Sequence, residues 1–430
     1  MSLEQHTAVR DRIRDSMDDL VLLTQELVRI PSISGKENDV QTLIARRLGA
    51  MGLSPQMVYP DVGRLRQHPD FFETTSFLKY GYENRPNVVA RLLGSGGGRS
   101  ICLAGHVDVV SPEPVDKWTH GPWSGDVHEG RVYGRGAADM KGGLASMIIA
   151  VKAIRESGLK LKGDVHLETT IEEEDGGIGG SLFLRMTQPR VDAALNPEPS
   201  GLGICIASAG VMYFRVVVPG VPAHAAWAHI GVNAILKMNR IVDELNRLNE
   251  RRQARIRYPY AEASDPRMKG RSTTLNIGVI RGGDWPSTVP GRCEIECRIG
   301  WPPGETREQV MAEVQGVINT VAQKDSWLRD NPPRIEWFGW RARPHEQDVN
   351  HPFVKLLKEQ VTKAVGRSPV FYGGAAGLDT RFFAHDGIAS AMFGPKGDRT
   401  HSTDECVEID SMVKSAEVIA ATIVDWCGVA

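Results

Sequence analysis

The sequence predicts an α/β protein, in which an α/β domain built on a mixed, largely parallel sheet is interrupted by a smaller α+β unit. Three observations carry this. Over residues 1–210, short β-rich runs alternate with amphipathic helical patterns. Over 211–328 the order changes to β-α-β-β followed by a helix. Over 329–430 a helix, a glycine-rich turn, a short strand and a final helix resume the first pattern, so the middle segment reads as an insertion.

Each element has its own signal. Between residues 16 and 30, Met17, Leu20, Val21, Leu27 and Val28 recur at helical spacing, and Pro31 ends the run. Residues 38–51 repeat the pattern through Val40, Leu43, Ile44 and Leu48, with Gly52 as the stop. Residues 87–93 and 100–110 are apolar β-rich runs, 140–156 a helix and 164–171 a strand. In the insertion, 211–218 reads as a strand, 232–252 as a long helix, 273–280 and 291–299 as strands, and 307–323 as a helix, closed by Asn331-Pro332-Pro333. The last stretch holds a helix over 352–365, the glycine-rich 373–377, a strand over 390–393 and a helix reaching Trp426.

Composition excludes several classes. Of 430 residues, 41% are hydrophobic and 24% charged, the balance of a folded protein and not of a disordered or fibrous one. The 51 Lys and Arg against 53 Asp and Glu leave a net charge of −2, without the basic excess of a nucleic-acid binder. Six cysteines, none in a C-x-x-C pair, are too sparse for a disulfide framework and point to a reducing compartment. Residues 1–14 are charged throughout without the apolar core of a signal peptide, and no run approaches the ~18 apolar residues of a membrane span. A soluble cytoplasmic protein acting on a small molecule, with no nucleic-acid or membrane partner, is expected.

Five pieces hold the residue types of a metal centre. Gly105-His106-Val107-Asp108 follows an apolar run, which puts an imidazole and a carboxylate at the carboxyl end of a strand, where open α/β sheets bind ligands. The same pair also suits a satisfied core histidine. Asp139 stands between glycines at 134, 136, 142 and 143, a backbone bent around one carboxylate or simply a helix N-cap. The run Glu172-Glu173-Glu174-Asp175 ends an apparent strand; clustered carboxylates repel, so a fold keeps them in solvent or around a cation. Asn196-Pro197-Glu198-Pro199 stiffens the chain around one acid, and His401-Ser402-Thr403-Asp404-Glu405 adds a second imidazole in a loop. Imidazoles with carboxylates and no thiolate suit Zn²⁺, Mn²⁺ or Co²⁺.

In this order, His106-x-Asp108, Asp139-Met140-Lys141-Gly142-Gly143, Glu173-Glu174-x-Gly176, Glu198-Pro199 and His401-x-x-Asp404-Glu405 resemble the M20 metallopeptidase family, the group of acetylornithine deacetylase, succinyl-diaminopimelate desuccinylase, aminoacylase-1 and glutamate carboxypeptidase. The resemblance spans essentially the whole chain. It implies a catalytic domain interrupted by a lid or dimerisation domain, and hence a homodimer formed through the lid. It also implies the site: His106 and Glu198 on one metal, Glu174 and His401 on the other, Asp139 bridging, Asp108 orienting His106, and Glu173 as general base. Two divalent ions are implied, zinc first with Co²⁺ or Mn²⁺ as alternatives; such ions lower the pKa of water and polarise a carbonyl. Glu173 would take the proton and return it to the leaving amine. His224, in Pro222-Ala223-His224-Ala225-Ala226, would donate to the oxyanion.

Two arginines are implied as substrate contacts. Gly377-Leu378-Asp379-Thr380-Arg381 resembles the family's Gly-Thr-Asp-x-Arg segment, so Arg381 is either a carboxylate clamp or part of a structural ion pair. Where relatives place an arginine just before a Pro-Gly, this chain has Gly300; Arg298, two residues earlier on the same strand face, either substitutes or the usual α-carboxylate clamp is missing. Cys293 and Cys297 share one strand face and read as buried small residues. Trp118, Trp123, Trp285 and Trp301 read as pocket lining or as core packing. The expected activity is that of a metal-dependent amidohydrolase cleaving a small-molecule amide, with acetylornithine deacetylase-like deacylation first. The alternatives are a di- or exopeptidase, a hydrolase of another C–N bond such as a formamide or an aromatic amine, and, outside enzymes, a metal-free binding protein on the same fold.

Overall fold

The computed structural model describes residues 3–430, so the first two residues of the predicted 1–210 segment lie outside the described residues. The chain forms two compact units. One comprises the chain up to Ile206 with Glu346–Tyr372 and Leu378–Ala430; the other comprises Ala207–His345 with Gly373–Gly377. Among the described residues no helix is long and apolar enough to cross a membrane.

In the larger unit, four parallel strands lie side by side in the order Val165–Thr170, Ile101–His106, Ala193–Asn196 and Ala389–Met392. Asn87–Leu92 adds antiparallel to the first of these, and Gln56–Val58 pairs with it in turn. Every position of Ile101–His106 and Val165–Thr170 is buried, so both read as unbroken runs and not as alternation. Helix Gly142–Glu156 is buried along most of its length and packs against the last helix, Ile409–Cys427. Side chains such as Leu103, Leu144 and Ile419, all 0% exposed, each stabilise this core by roughly 1.5–3 kcal/mol before conformational entropy is counted. A Cβ on Gly143 would lie 1.7 Å from the Pro197 carbonyl oxygen, so only glycine lets this helix approach the segment that carries Glu198.

Parallel strands end at one edge, and that edge collects the motifs. His106 closes its strand, Glu172 to Glu174 follow Thr170, and Glu198 follows Asn196. A small antiparallel sheet of Val127–His128, Arg131–Tyr133, Cys406–Glu408 and Gly397–Asp398 frames the loop that bears His401. The helix predicted from residue 140 begins regularly only at Gly142. Asp139 (φ −116°, ψ 93°) and Met140 (φ −131°, ψ 29°) are non-helical, because the chain turns through Gly136 at φ 82° to present the aspartate.

The smaller unit is an antiparallel sheet in the order Thr274–Gly282, Arg292–Trp301, Gly210–Pro219 and Arg334–Ala342, with helices Ala234–Arg255 and Arg307–Gln323 packed on one face. Strand alternation sends Phe214, Val216, Cys293, Cys297 and Trp301 into that core, while Arg215 and Glu296 pair at 2.7 Å on the other face. Both cysteines are buried, as expected, and Trp301 is core, whereas Trp285 is 67% exposed. The long helix starts at Ala234 and not at 232 because the Asn233 side chain caps it, accepting from the amides of Ile235 and Leu236. The sequence reading closes the insertion near 328. Here Arg334–Ala342 pairs with Gly210–Pro219 and carries the unit to His345, so the prolines at 332 and 333 precede a strand and do not end the unit.

Candidate metal centre

The larger unit brings five predicted ligands into two adjoining triads. His106, Asp139 and Glu198 form one, and Asp139, Glu174 and His401 the other, with the donor atoms of each triad within 4.8 Å of one another. His106 Nε2 lies 3.1 Å from Asp139 Oδ1 and 3.4 Å from Glu198 Oε1. His401 Nε2 lies 3.4 Å from Asp139 Oδ2 and 3.0 Å from Glu174 Oε2. Each oxygen of Asp139 therefore faces a different triad, the geometry of a bridging carboxylate.

Hydrogen bonds hold these ligands in place. His106 Nδ1 donates to the main-chain carbonyl of Asp108 at 2.9 Å, which leaves Nε2 turned to the carboxylates. Sequence reading assigns that orienting role to Asp108, and the structure locates it in the carbonyl: the Asp108 carboxylate is 3.6 Å from Nδ1. The carboxylate instead accepts from Ser34 Oγ (2.7 Å) and from the amides of Glu173 (3.0 Å) and Glu174 (3.2 Å), tying the glutamate turn to the strand end.

The three consecutive glutamates separate completely. Glu172, at φ 67° and 0% exposed, points away from the triads and accepts from Thr74 Oγ1, Ser76 Oγ, Tyr82 Oη and the Gly179 amide at 2.6–2.8 Å. Glu174 belongs to a triad. Glu173 is buried beside the cluster without belonging to either triad.

Desolvation and crowding set the proton affinities. Burial, then the neighbouring Asp139, pushes Glu174 up to about 7 and Glu198 up to about 8. Burial and Asp379 hold Glu173 well above the usual carboxylate range. Hydrogen bonds to Asp139 and Glu174 raise His401 to about 10. Burial alone would raise Asp139, but His106 and His401 outweigh it and lower the group. Such a set holds protons where cations would otherwise balance the charge. Its donors are imidazoles and carboxylates without thiolate, all six cysteines lying elsewhere as free thiols, so the residues fit a pair of divalent ions.

The predicted substrate contacts fare differently. Arg381 is 2% exposed; its Nη2 donates to the Gly176 carbonyl at 2.6 Å and its Nη1 to that of Leu378 at 3.0 Å. It braces the turn carrying Glu173 and Glu174, and burial closes it to a substrate carboxylate. Arg298 and His224 belong to the smaller unit. Arg298 donates to Thr274 Oγ1 at 3.2 Å and to the Ala375 carbonyl at 3.4 Å, and makes no ion pair among the described residues. His224 is exposed, and its Nδ1 accepts from the Ala226 amide at 3.1 Å. Sequence reasoning assigns no role to Glu405, which is 0% exposed and reaches the Asp139 backbone; its signal in the sequence is its place in the His401-x-x-Asp404-Glu405 piece.

The model of peptidase family M20/M25/M40 matches residues 102–425. In sequence, the chain is 30% identical over 368 residues, 80% of its length and 84% of the other's, to the N-formyl-4-amino-5-aminomethyl-2-methylpyrimidine deformylase of Bacillus subtilis (strain 168). It is 29% identical over 367 residues, with the same coverages of 80% and 84%, to the protein of that name from Halalkalibacterium halodurans. In fold it is similar to the dipeptidase Dug1p from Saccharomyces cerevisiae (TM-score 0.75, 17% identity, 97% of this chain and 98% of that one). It is likewise similar to human carnosine dipeptidase 1 (TM-score 0.74, 18% identity, 98% of each). These matches agree with the motif order and with the observed α/β architecture: the chain belongs to peptidase family M20/M25/M40 and is a hydrolase.

Proposed function

We propose that this hydrolase is a metal-dependent amidohydrolase that removes a formyl group from the amine of a small heteroaromatic compound. The observation that carries the chemistry is the pair of triads sharing Asp139, with Glu173 buried beside them. His106, Asp139 and Glu198 would hold one divalent ion, and Asp139, Glu174 and His401 the other, with zinc the first choice by donor type. Ions bound there supply Lewis acidity toward a water molecule and the amide carbonyl. Glu173 accepts the water proton, and its burial, which favours the protonated form, lets it hold that proton until the amine leaves. His224 is assigned to the oxyanion: with Nδ1 accepting from the Ala226 amide, the ring proton sits on Nε2, the donor this role requires.

Sequence reading places acetylornithine-like deacylation first and a formamide among the alternatives. Two observations support reversing that order. The relatives of 30% and 29% identity are named as formylpyrimidine deformylases. Arg381 is committed to backbone carbonyls, so one of the two arginines expected to clamp an amino-acid carboxylate is taken. The intact donor set argues against a metal-free binding protein. We also infer a homodimer through the smaller unit, supported by Trp227 (60% exposed), Ile230 (67%) and Leu236 (63%) on its surface, and a reducing cytoplasmic setting, supported by six unpaired buried thiols.

The test is a zinc- or cobalt-reconstituted screen of N-formyl aminopyrimidines, N-formyl anilines, N-acetyl amino acids and dipeptides. Release of formate from the first class, faster than cleavage of the others, is expected. Preferential hydrolysis of N-acetyl amino acids or of dipeptides overturns the formamide assignment.

A further inference from the structure

Asp139 can serve both triads only if its peptide is held at one tilt, because a rotation that brings one carboxylate oxygen closer withdraws the other. That peptide lies in a non-helical bend just ahead of the regular helix. Glu405 holds it. Its Oε1 accepts both the Ala138 amide (3.1 Å) and the Asp139 amide (3.0 Å), and its own carbonyl accepts the Gly134 amide at 2.8 Å. Its Oε2 is held by Arg135 Nη1 at 2.5 Å, and both side chains are buried, at 0% and 2% exposure. Arg135 is itself fixed by the Ser111 carbonyl at 3.3 Å and lies over the Trp118 ring. Glu405 also stands four residues after His401 in the same loop, so one carboxylate joins the backbone of the bridging ligand to the segment that carries the second imidazole.

We propose that Glu405 is a positioning residue: it sets the tilt of the Asp139 peptide and the register of the His401 loop, and thereby the metal affinity of both triads. The proposal rests on the reading of those triads as a two-ion site. The experiment compares zinc titration of the metal-free full chain against a competing chelator, the visible absorption of the cobalt form, and steady-state kinetics. Glu405→Ala is expected to weaken zinc binding 10–100-fold and to shift the cobalt bands, with kcat falling and KM moving less than about twofold. Glu405→Gln keeps an oxygen for the two amides and is expected to stay within about threefold of the parent in affinity. A folded Glu405→Ala chain with parental affinity and spectrum overturns the proposal, whatever its melting temperature. If that chain does not fold, Glu405→Asp, which withdraws the carboxylate by one methylene, is measured: parental affinity overturns the proposal and a loss of about tenfold or more supports it. A parent chain that binds no zinc overturns the two-ion reading as well, which separates the two failures.

Discussion

Truncating Glu172 tests whether adjacent glutamates have separate jobs. Its carboxylate is 0% exposed and accepts four hydrogen bonds: from Thr74 (2.6 Å), Ser76 (2.7 Å), Tyr82 (2.7 Å) and the Gly179 amide (2.8 Å). Arg85, itself paired with Glu37 at 2.8 Å, stands 3.6 Å away. A hydrogen bond to a charged group contributes about 1.5–3 kcal/mol, but four donors sharing one acceptor group are not additive. Removing one partner from a buried charged network costs about 3–5 kcal/mol, so Glu172→Ala should destabilise the larger unit by ~4 kcal/mol. For a unit of this size that lowers Tm by roughly 7 °C. Glu172→Gln, which retains one acceptor oxygen, should lose about half as much. Calorimetric melting of the zinc-loaded protein measures this, and zinc content at a temperature where the variant is folded should equal that of the parent. A Glu172→Ala melt within about 2 °C of the parent, or a stable variant depleted of zinc, refutes the assignment of Glu172 to the fold and not to the metal.

Glu173→Ala should keep its metal and lose about 10²–10⁴-fold in kcat, the range for a lost general base; full turnover or lost metal counts against the role. Glu174→Ala should give up one ion and retain the one among His106, Asp139 and Glu198, and elemental analysis showing both gone would contradict the twin-triad geometry. In the metal-free chain the raised Glu174 (about 7) and Glu198 (about 8) stabilise the fold while protonated, and that contribution is lost as pH rises through those values. Metal uptake needs the same protons to leave, so the Tm gap between zinc-loaded and chelator-treated protein should widen from about pH 6 to about pH 8; a constant or narrowing gap would sink this. Arg381→Ala should lower kcat and Tm while leaving unchanged the KM ratio between substrates with and without a carboxylate. A selective rise in KM for the carboxylate-bearing ones would restore the clamp.

Much of the fold is legible in the sequence because burial imposes a period. The predicted spans 16–30, 38–51 and 307–323 correspond to helices Met17–Arg29, Asn38–Ala50 and Arg307–Gln323, each with an apolar stripe, and the last begins with a capping box between Thr306 and Gln309. What escapes is short or polar. Ala193–Asn196 has four residues and no alternation, since both faces are covered. Leu3–Asp15 has Asp, Glu or Arg at six of its 13 positions and buries only a few side chains such as Val9 and Ile13. Arg334–Ala342 follows two prolines that imitate a boundary.

By itself the sequence names the candidate donor set, because five pieces that are each ambiguous alone stand in the M20 order, and the fold then brings His106, Asp139, Glu174, Glu198 and His401 into two adjoining triads. Tertiary structure alone decides how neighbouring residues divide the work. Glu172 and Glu174 are two positions apart, yet one faces Thr74 and Tyr82 and the other His401. Asp108 acts through its carbonyl on His106 and through its carboxylate on the glutamate turn, and Arg381 is consumed by Gly176. The partners in these contacts lie up to hundreds of residues away in the chain, as Glu405 does from Asp139. A side chain's role follows from which donors and charges surround it after desolvation, and no local pattern encodes that neighbourhood.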